Sequence, residues 1–116
     1  MKALRIPTNG PIQVVELPEP HDDETEAFPA SLRNAIGCSS VECVRLAKTW
    51  DLWGDETGRV DGRPLNRLAT LLARSYGFRE DLYGDVVAVG VDDTGESLGL
   101  TDAQAEGIAR RVGELI

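Results

Sequence analysis

Apolar and polar positions alternate along this chain in short runs, and turn-forming residues interrupt the runs at close intervals. Residues 3–7 (Ala-Leu-Arg-Ile-Pro) and 11–17 (Pro-Ile-Gln-Val-Val-Glu-Leu) flank Thr8-Asn9-Gly10. Asn-Gly between β-prone runs signals a hairpin, because both residues tolerate positive φ. Pro7 and Pro11 cannot donate to a ladder, so the pattern predicts an edge hairpin. Residues 41–46 and 49–53 predict two more strands. Period 2 in the second places Trp50 and Leu52 on one side and Asp51 and Trp53 on the other. A brief strand is expected near Arg59-Val60. Residues 85–91 contain Val86, Val87, Val89 and Val91. A branched run this dense predicts a central strand buried on both faces. A short strand over 96–100 follows it.

Three segments carry helical spacing. The first spans 29–36, with Pro29 suited to the first helical position and Gly37 to a left-handed stop. Phe28, Leu32, Ala35 and Ile36 share one face of it. The second spans 64–76, opened by Pro64 and closed by Gly77. There Leu65, Leu68, Ala69 and Leu72 fall at i, i+3, i+4 and i+7. The third spans 102–115. Thr101 and Gln104 form a capping box ahead of it, and Ala105, Ile108, Ala109, Val112 and Leu115 line one side.

The order is ββα, β, ββα, ββα. Gly54-Asp55-Glu56-Thr57-Gly58 and Val91-Asp92-Asp93-Thr94-Gly95 repeat each other at the turns, each after a strand-like run and ahead of a helix signal. The expected fold is one α+β domain over 1–116. It has a mainly antiparallel sheet built from β-hairpins, with about three helices packed on one face. Residues 18–27 (Pro-Glu-Pro-His-Asp-Asp-Glu-Thr-Glu-Ala) form an acidic loop with little to bury, expected to be dispensable for folding.

Composition narrows the class. A chain of 116 residues with 41% hydrophobic positions supports one core without a metal or disulfide staple. Cys38 and Cys43 are its only cysteines. Cys43 is expected as a small core residue in a strand, and Cys38 near a helix end. The start, Met-Lys-Ala-Leu-Arg-Ile-Pro, lacks a secretory apolar region, and no run approaches the roughly 18 apolar residues of a membrane span. A soluble, cytoplasmic protein with no membrane association is expected. The net charge of −8 opposes binding along a nucleic-acid backbone and favours solubility or a basic partner.

Catalytic signatures are missing. The one histidine, His21, sits in the acidic loop. Consecutive loop residues such as His-Asp-Asp-Glu do not converge as a zinc site requires. Asp55, Glu56, Asp92 and Asp93 lie at turn tips in segments too short for a calcium loop, and read as turn chemistry. Gly54, Gly58 and Gly62 match neither the dinucleotide fingerprint nor the P-loop. No enzyme activity, metal or cofactor is expected. Two surface features remain. Arg63, Arg67 and Arg74 fall along one side of the second helix, either as a solvated face or as contacts for an anion or acidic partner. Trp50 and Trp53 project from opposite faces of one strand, so one belongs to the core and the other is a candidate surface anchor.

From Leu32 onward the chain resembles a family of small uncharacterised domains found mostly in phages, plasmids and other mobile elements. The likeness rests on Leu32…Ile36-Gly37, Asp55-Glu56-Thr57-Gly58, Gly62-Arg63-Pro64-Leu65-Asn66-Arg67-Leu68-Ala69-Thr70, Gly84-Asp85-Val86-Val87-Ala88-Val89-Gly90 and the Gly95…Leu100-Thr101 end. The resemblance implies a source and a fold but no chemistry. Asn66 and Thr70 lie one turn apart, and Asn66 is expected to bond backbone beside the incoming strand. The leading expectation is a non-enzymatic accessory protein of a phage or mobile element that binds a host protein in the bacterial cytoplasm. The alternatives are a protein that sequesters a nucleotide or other small anion through Arg63, Arg67 and Arg74, and an acidic DNA-mimic inhibitor.

Overall fold

Every residue from Val86 to Val91 is buried, and this follows from a strand that lacks polar side chains and so needs cover on both faces. That strand is the axis of the molecule. The computed structural model describes residues 1–20 and 27–116. His21 and the rest of the acidic stretch over 21–26 lie outside the described residues, and the expected loop is therefore visible only at its ends.

In chain order the elements are β1 (Lys2–Ile6), β2 (Gln13–Glu16), α1 (Ala27–Ile36), β3 (Val41–Arg45), β4 (Trp50–Asp55), α2 (Arg67–Ser75), β5 (Val86–Val91), β6 (Ser97–Leu98) and α3 (Asp102–Leu115). The sheet runs β2-β1-β5-β4-β3, and β6 also pairs with β5. All its pairings are antiparallel. The fold is α+β, six strands and three helices among the described residues. The β1–β2 hairpin forms around Asn9-Gly10 as the sequence indicates. β1 pairs with Val86–Ala88, while β6 takes Gly90 and Val91. These two strands lie end to end, joined where the Leu100 amide donates to the Lys2 carbonyl at 2.9 Å. Gly90 is required at this crossing, since a Cβ there would stand 2.9 Å from the Gly99 carbonyl oxygen.

The three helices do not share a face. α2 and α3 cover Leu4, Ile6, Trp50, Leu52, Val86 and Ala88. α1 covers Ala3, Val87 and Val89 on the opposite side through Phe28, Leu32 and Ile36. The expectation of one-sided packing is corrected by β5 itself. Its odd-numbered valines would face water if all the helices lay over the even-numbered residues.

Three local expectations also shift. Arg59 and Val60 form no strand; they sit in a run of turns, and Val60 is 87% exposed. The Asp55 carboxylate accepts from the Thr57 amide, and the Asp61 and Arg63 amides bond to the Thr57 and Gly58 carbonyls. These short-range bonds fold the segment into successive turns in place of an extended strand. α2 starts at Arg67 rather than Pro64, because Asn66 is its N-cap and accepts from the Ala69 amide. Leu65 is half-exposed and bridges Tyr83 instead of extending the helical stripe. Cys43 lies in a strand but is exposed. It is on the α1 side of β3, and α1 lies over β5 and β4. By contrast, the capping box at Thr101 and Gln104 forms as expected, with both reciprocal bonds present.

Candidate acidic cleft

The β3–β4 hairpin turns Glu42, Val44, Leu52 and Gly54 toward the α2 and α3 side of the sheet, by the period-2 alternation that also places Val44 in that core. The helices do not cover the whole of this surface. Between the hairpin and residues 78–83, which follow α2, lies a cleft of about 290 Å³. Val44, Leu52, Phe78, Leu82 and Val86 form its apolar part. Its polar part is strongly biased: Glu42, Asp55, Glu56, Glu80 and Asp81 line it against one cation, Arg59.

The carboxylates differ in how far they are neutralised. Asp55 is buried and faces the Arg63 guanidinium at 2.6 Å, an ion pair without aligned hydrogen-bond geometry at that oxygen. Asp81 pairs with Arg74 at 2.8 Å. Glu56 accepts from the Ser40 hydroxyl at 2.6 Å, a bond that leaves its charge intact. Even with Asp55 and Asp81 set aside, Glu42, Glu56 and Glu80 outnumber Arg59. Glu42 registers the excess. Its carboxyl is pushed above the ordinary glutamate range, first by partial burial and then by the charges of Glu56, Glu80 and Asp55. A cleft of this kind suits a Lys or Arg side chain, with the methylene stem on the apolar wall and the head among the carboxylates.

The tryptophans and arginines singled out from the sequence lie mostly elsewhere. Trp50 is the core member of its pair, 5% exposed and edge-on to Tyr76 with ring centres 5.4 Å apart. Arg111 stacks over that Tyr76 ring. Trp53 is half-buried on the α1 face, on the other side of the sheet from the cleft, and its indole nitrogen lacks a hydrogen-bond partner among the described residues. Arg63 precedes α2 rather than lying along it. Beyond Asp55 it donates to the carbonyls of Ile36 and Gly37, and so ties β4 to the end of α1. Arg74 is taken up by Asp81, and Arg67 is exposed in the first turn of α2. These three guanidinium groups are not gathered around one common point.

The Cys43 thiol is pushed up to about 11, by shielding first and by the Asp51 carboxylate second. A thiol so raised is a poor nucleophile at neutral pH. Asp51 is buried with the Arg45 guanidinium at 3.4 Å. Among the described residues no group of three or more His, Cys, Asp or Glu side chains is placed to hold a metal ion, and no helix is long and apolar enough to cross a membrane.

Sequence reasoning missed the cleft. One signal was present: Glu42 shares a strand face with Val44, a carboxylate on a core-facing row. Glu56 and Glu80 carry no local mark of their convergence on it. The chain belongs to a family described as a domain of unknown function (DUF3846), whose model matches residues 1–113. No curated protein and no solved structure matches it.

Proposed function

We propose that this chain is a non-enzymatic binding protein whose acidic cleft captures a basic segment of a partner protein. The observation that carries the reading is the set of Glu42, Glu56 and Glu80 over an apolar wall, with Arg59 the one lining cation. The net charge of −8 supports it, since such a field draws in basic partners and speeds their encounter. On this reading the partner is a host protein in the bacterial cytoplasm, and the chain is an accessory factor of a phage or other mobile element. Anion sequestration draws less support, because Arg63 and Arg74 are already engaged with carboxylates. DNA mimicry draws less support too, because these carboxylates gather in a concavity.

The test is a titration of the intact chain with a capped peptide alternating Lys and Val, read by fluorescence anisotropy. Binding should weaken about ten-fold or more when Glu42 and Glu80 are both changed to Gln, a loss of roughly 1.4 kcal/mol. A peptide with Glu in place of Lys should not bind. Equal affinity for the native chain and the double variant would defeat the reading.

A further inference from the structure

The cleft adjoins a sheet edge that is unpaired among the described residues. β3 ends the strand order and pairs only with β4 among the described residues. Its register with β4 is unbroken from Val41 to Arg45, with neither proline nor bulge to blunt it. The direction of its free backbone groups follows from two hydrogen bonds. The Glu56 amide donates to the Ser40 carbonyl at 3.0 Å, so Ser40, Glu42 and Val44 are the residues bonded to β4. The Val91 amide donates to the Thr49 carbonyl at 3.0 Å, so Asp51 and Trp53 bond toward β5, leaving Leu52 and Gly54 for β3. Both lines agree. The N–H and C=O groups of Val41, Cys43 and Arg45 point outward along the open edge.

We infer that the basic partner segment binds as an added antiparallel strand on β3, pairing with Val41, Cys43 and Arg45 and sending every second side chain over the acidic cleft. This rests on the cleft reading above and adds the binding mode. Residues of the guest level with Glu42 and Val44 project onto the cleft face, where Lys or Arg meets Glu42 and Glu80. Residues level with Cys43 project onto the opposite face. Specificity is then a period-2 pattern of basic residues, with affinity supplied by main-chain bonds. A second copy of this chain is a poor occupant. Edge-to-edge pairing would set two acidic clefts side by side on molecules that each carry a charge of −8.

Backbone methylation separates the mode from the charge. In the alternating Lys and Val peptide, with Lys over the cleft, the Val amides face β3 and the Lys amides face away. N-methylation of the Val amides should weaken binding about ten-fold or more, while N-methylation of the Lys amides leaves it within about two- to three-fold. Amide hydrogen exchange at Val41, Cys43 and Arg45 should slow in the complex with the unmethylated peptide. If both methylated peptides bind as well as the parent, or those three amides stay unprotected, strand addition is wrong. Should binding in that case still depend on Glu42 and Glu80, the cleft reading survives it. If the unmethylated peptide does not bind, or ignores the Glu42→Gln and Glu80→Gln changes, both fall together.

Discussion

The Asn66 side-chain amide donates to the Ile6 carbonyl oxygen at 2.9 Å, a bond between residues 60 apart in sequence. The same nitrogen donates to the Gly84 carbonyl at 2.9 Å, and the amide oxygen accepts from the Ala69 N–H at 3.0 Å. One fully buried side chain thereby joins the end of β1, the start of α2 and the turn ahead of β5. Only an amide supplies two donors and an acceptor in this compass.

Asn66→Ala should therefore cost about 2–4 kcal/mol, since it removes a helix cap and strands two carbonyls. Asn66→Asp keeps the acceptor but replaces the donors with a buried negative charge facing two carbonyl oxygens. It should cost at least as much. Urea unfolding midpoints at unchanged m-value measure both; a loss below about 1 kcal/mol for either would show that the site relaxes around the change.

The Arg63–Asp55 pair makes a second prediction. Arg63→Ala leaves the Asp55 carboxylate, 2% exposed, without its counter-charge, and should cost about 3 kcal/mol or more. Arg63→Lys should recover little, because one ammonium cannot hold Asp55 and the Ile36 and Gly37 carbonyls together. Changing Asp55 to Asn in the Arg63→Ala background should be far milder than the two losses summed. A double-mutant cycle with no coupling would disprove the assignment.

Burial of β5 on both faces predicts a gradient across the sheet. Val87→Ala or Val89→Ala should each cost about 1–3 kcal/mol, for lost burial plus a cavity. Val14→Ala, on the exposed edge strand β2, should change stability by less than about 0.5 kcal/mol. Thermal or urea unfolding of the three variants checks the order.

Glu42 predicts a pH effect whose sign is fixed. Its carboxyl holds a proton more tightly in the folded chain than in the unfolded one. Its contribution to stability is thus fully present below the ordinary glutamate pKa and is lost as pH rises through the elevated folded value. Glu42→Gln should then stabilise the chain at neutral pH. Solvent screening at this accessible site keeps the gain to about 0.5 kcal/mol at most. Binding of a Lys-containing peptide runs the other way, because it favours ionised Glu42. Affinity should rise with pH across the same window, with proton release on binding shown by calorimetry in buffers of different ionisation heat. A flat affinity profile there would remove Glu42 from the site.

Local chemistry in the sequence determined the α+β class, the Asn9-Gly10 hairpin, the Thr101 and Gln104 cap, the central place of β5 and the end of α1 at Gly37. Each depends on residues within about one turn or strand of one another, where periodicity and capping rules operate. Tertiary structure alone decided that α1 crosses to the face opposite α2 and α3, because a helix's own apolar stripe is the same whichever side of a sheet it covers. It also decided that Asn66 begins α2 in place of Pro64, since that cap gains from carbonyls at Ile6 and Gly84 that are distant in sequence. The cleft belongs to this second kind. Glu42, Glu56 and Glu80 are ordinary surface carboxylates in the sequence, and they become one electrostatic site only because antiparallel pairing and the return of residues 78–83 bring them together against an apolar wall.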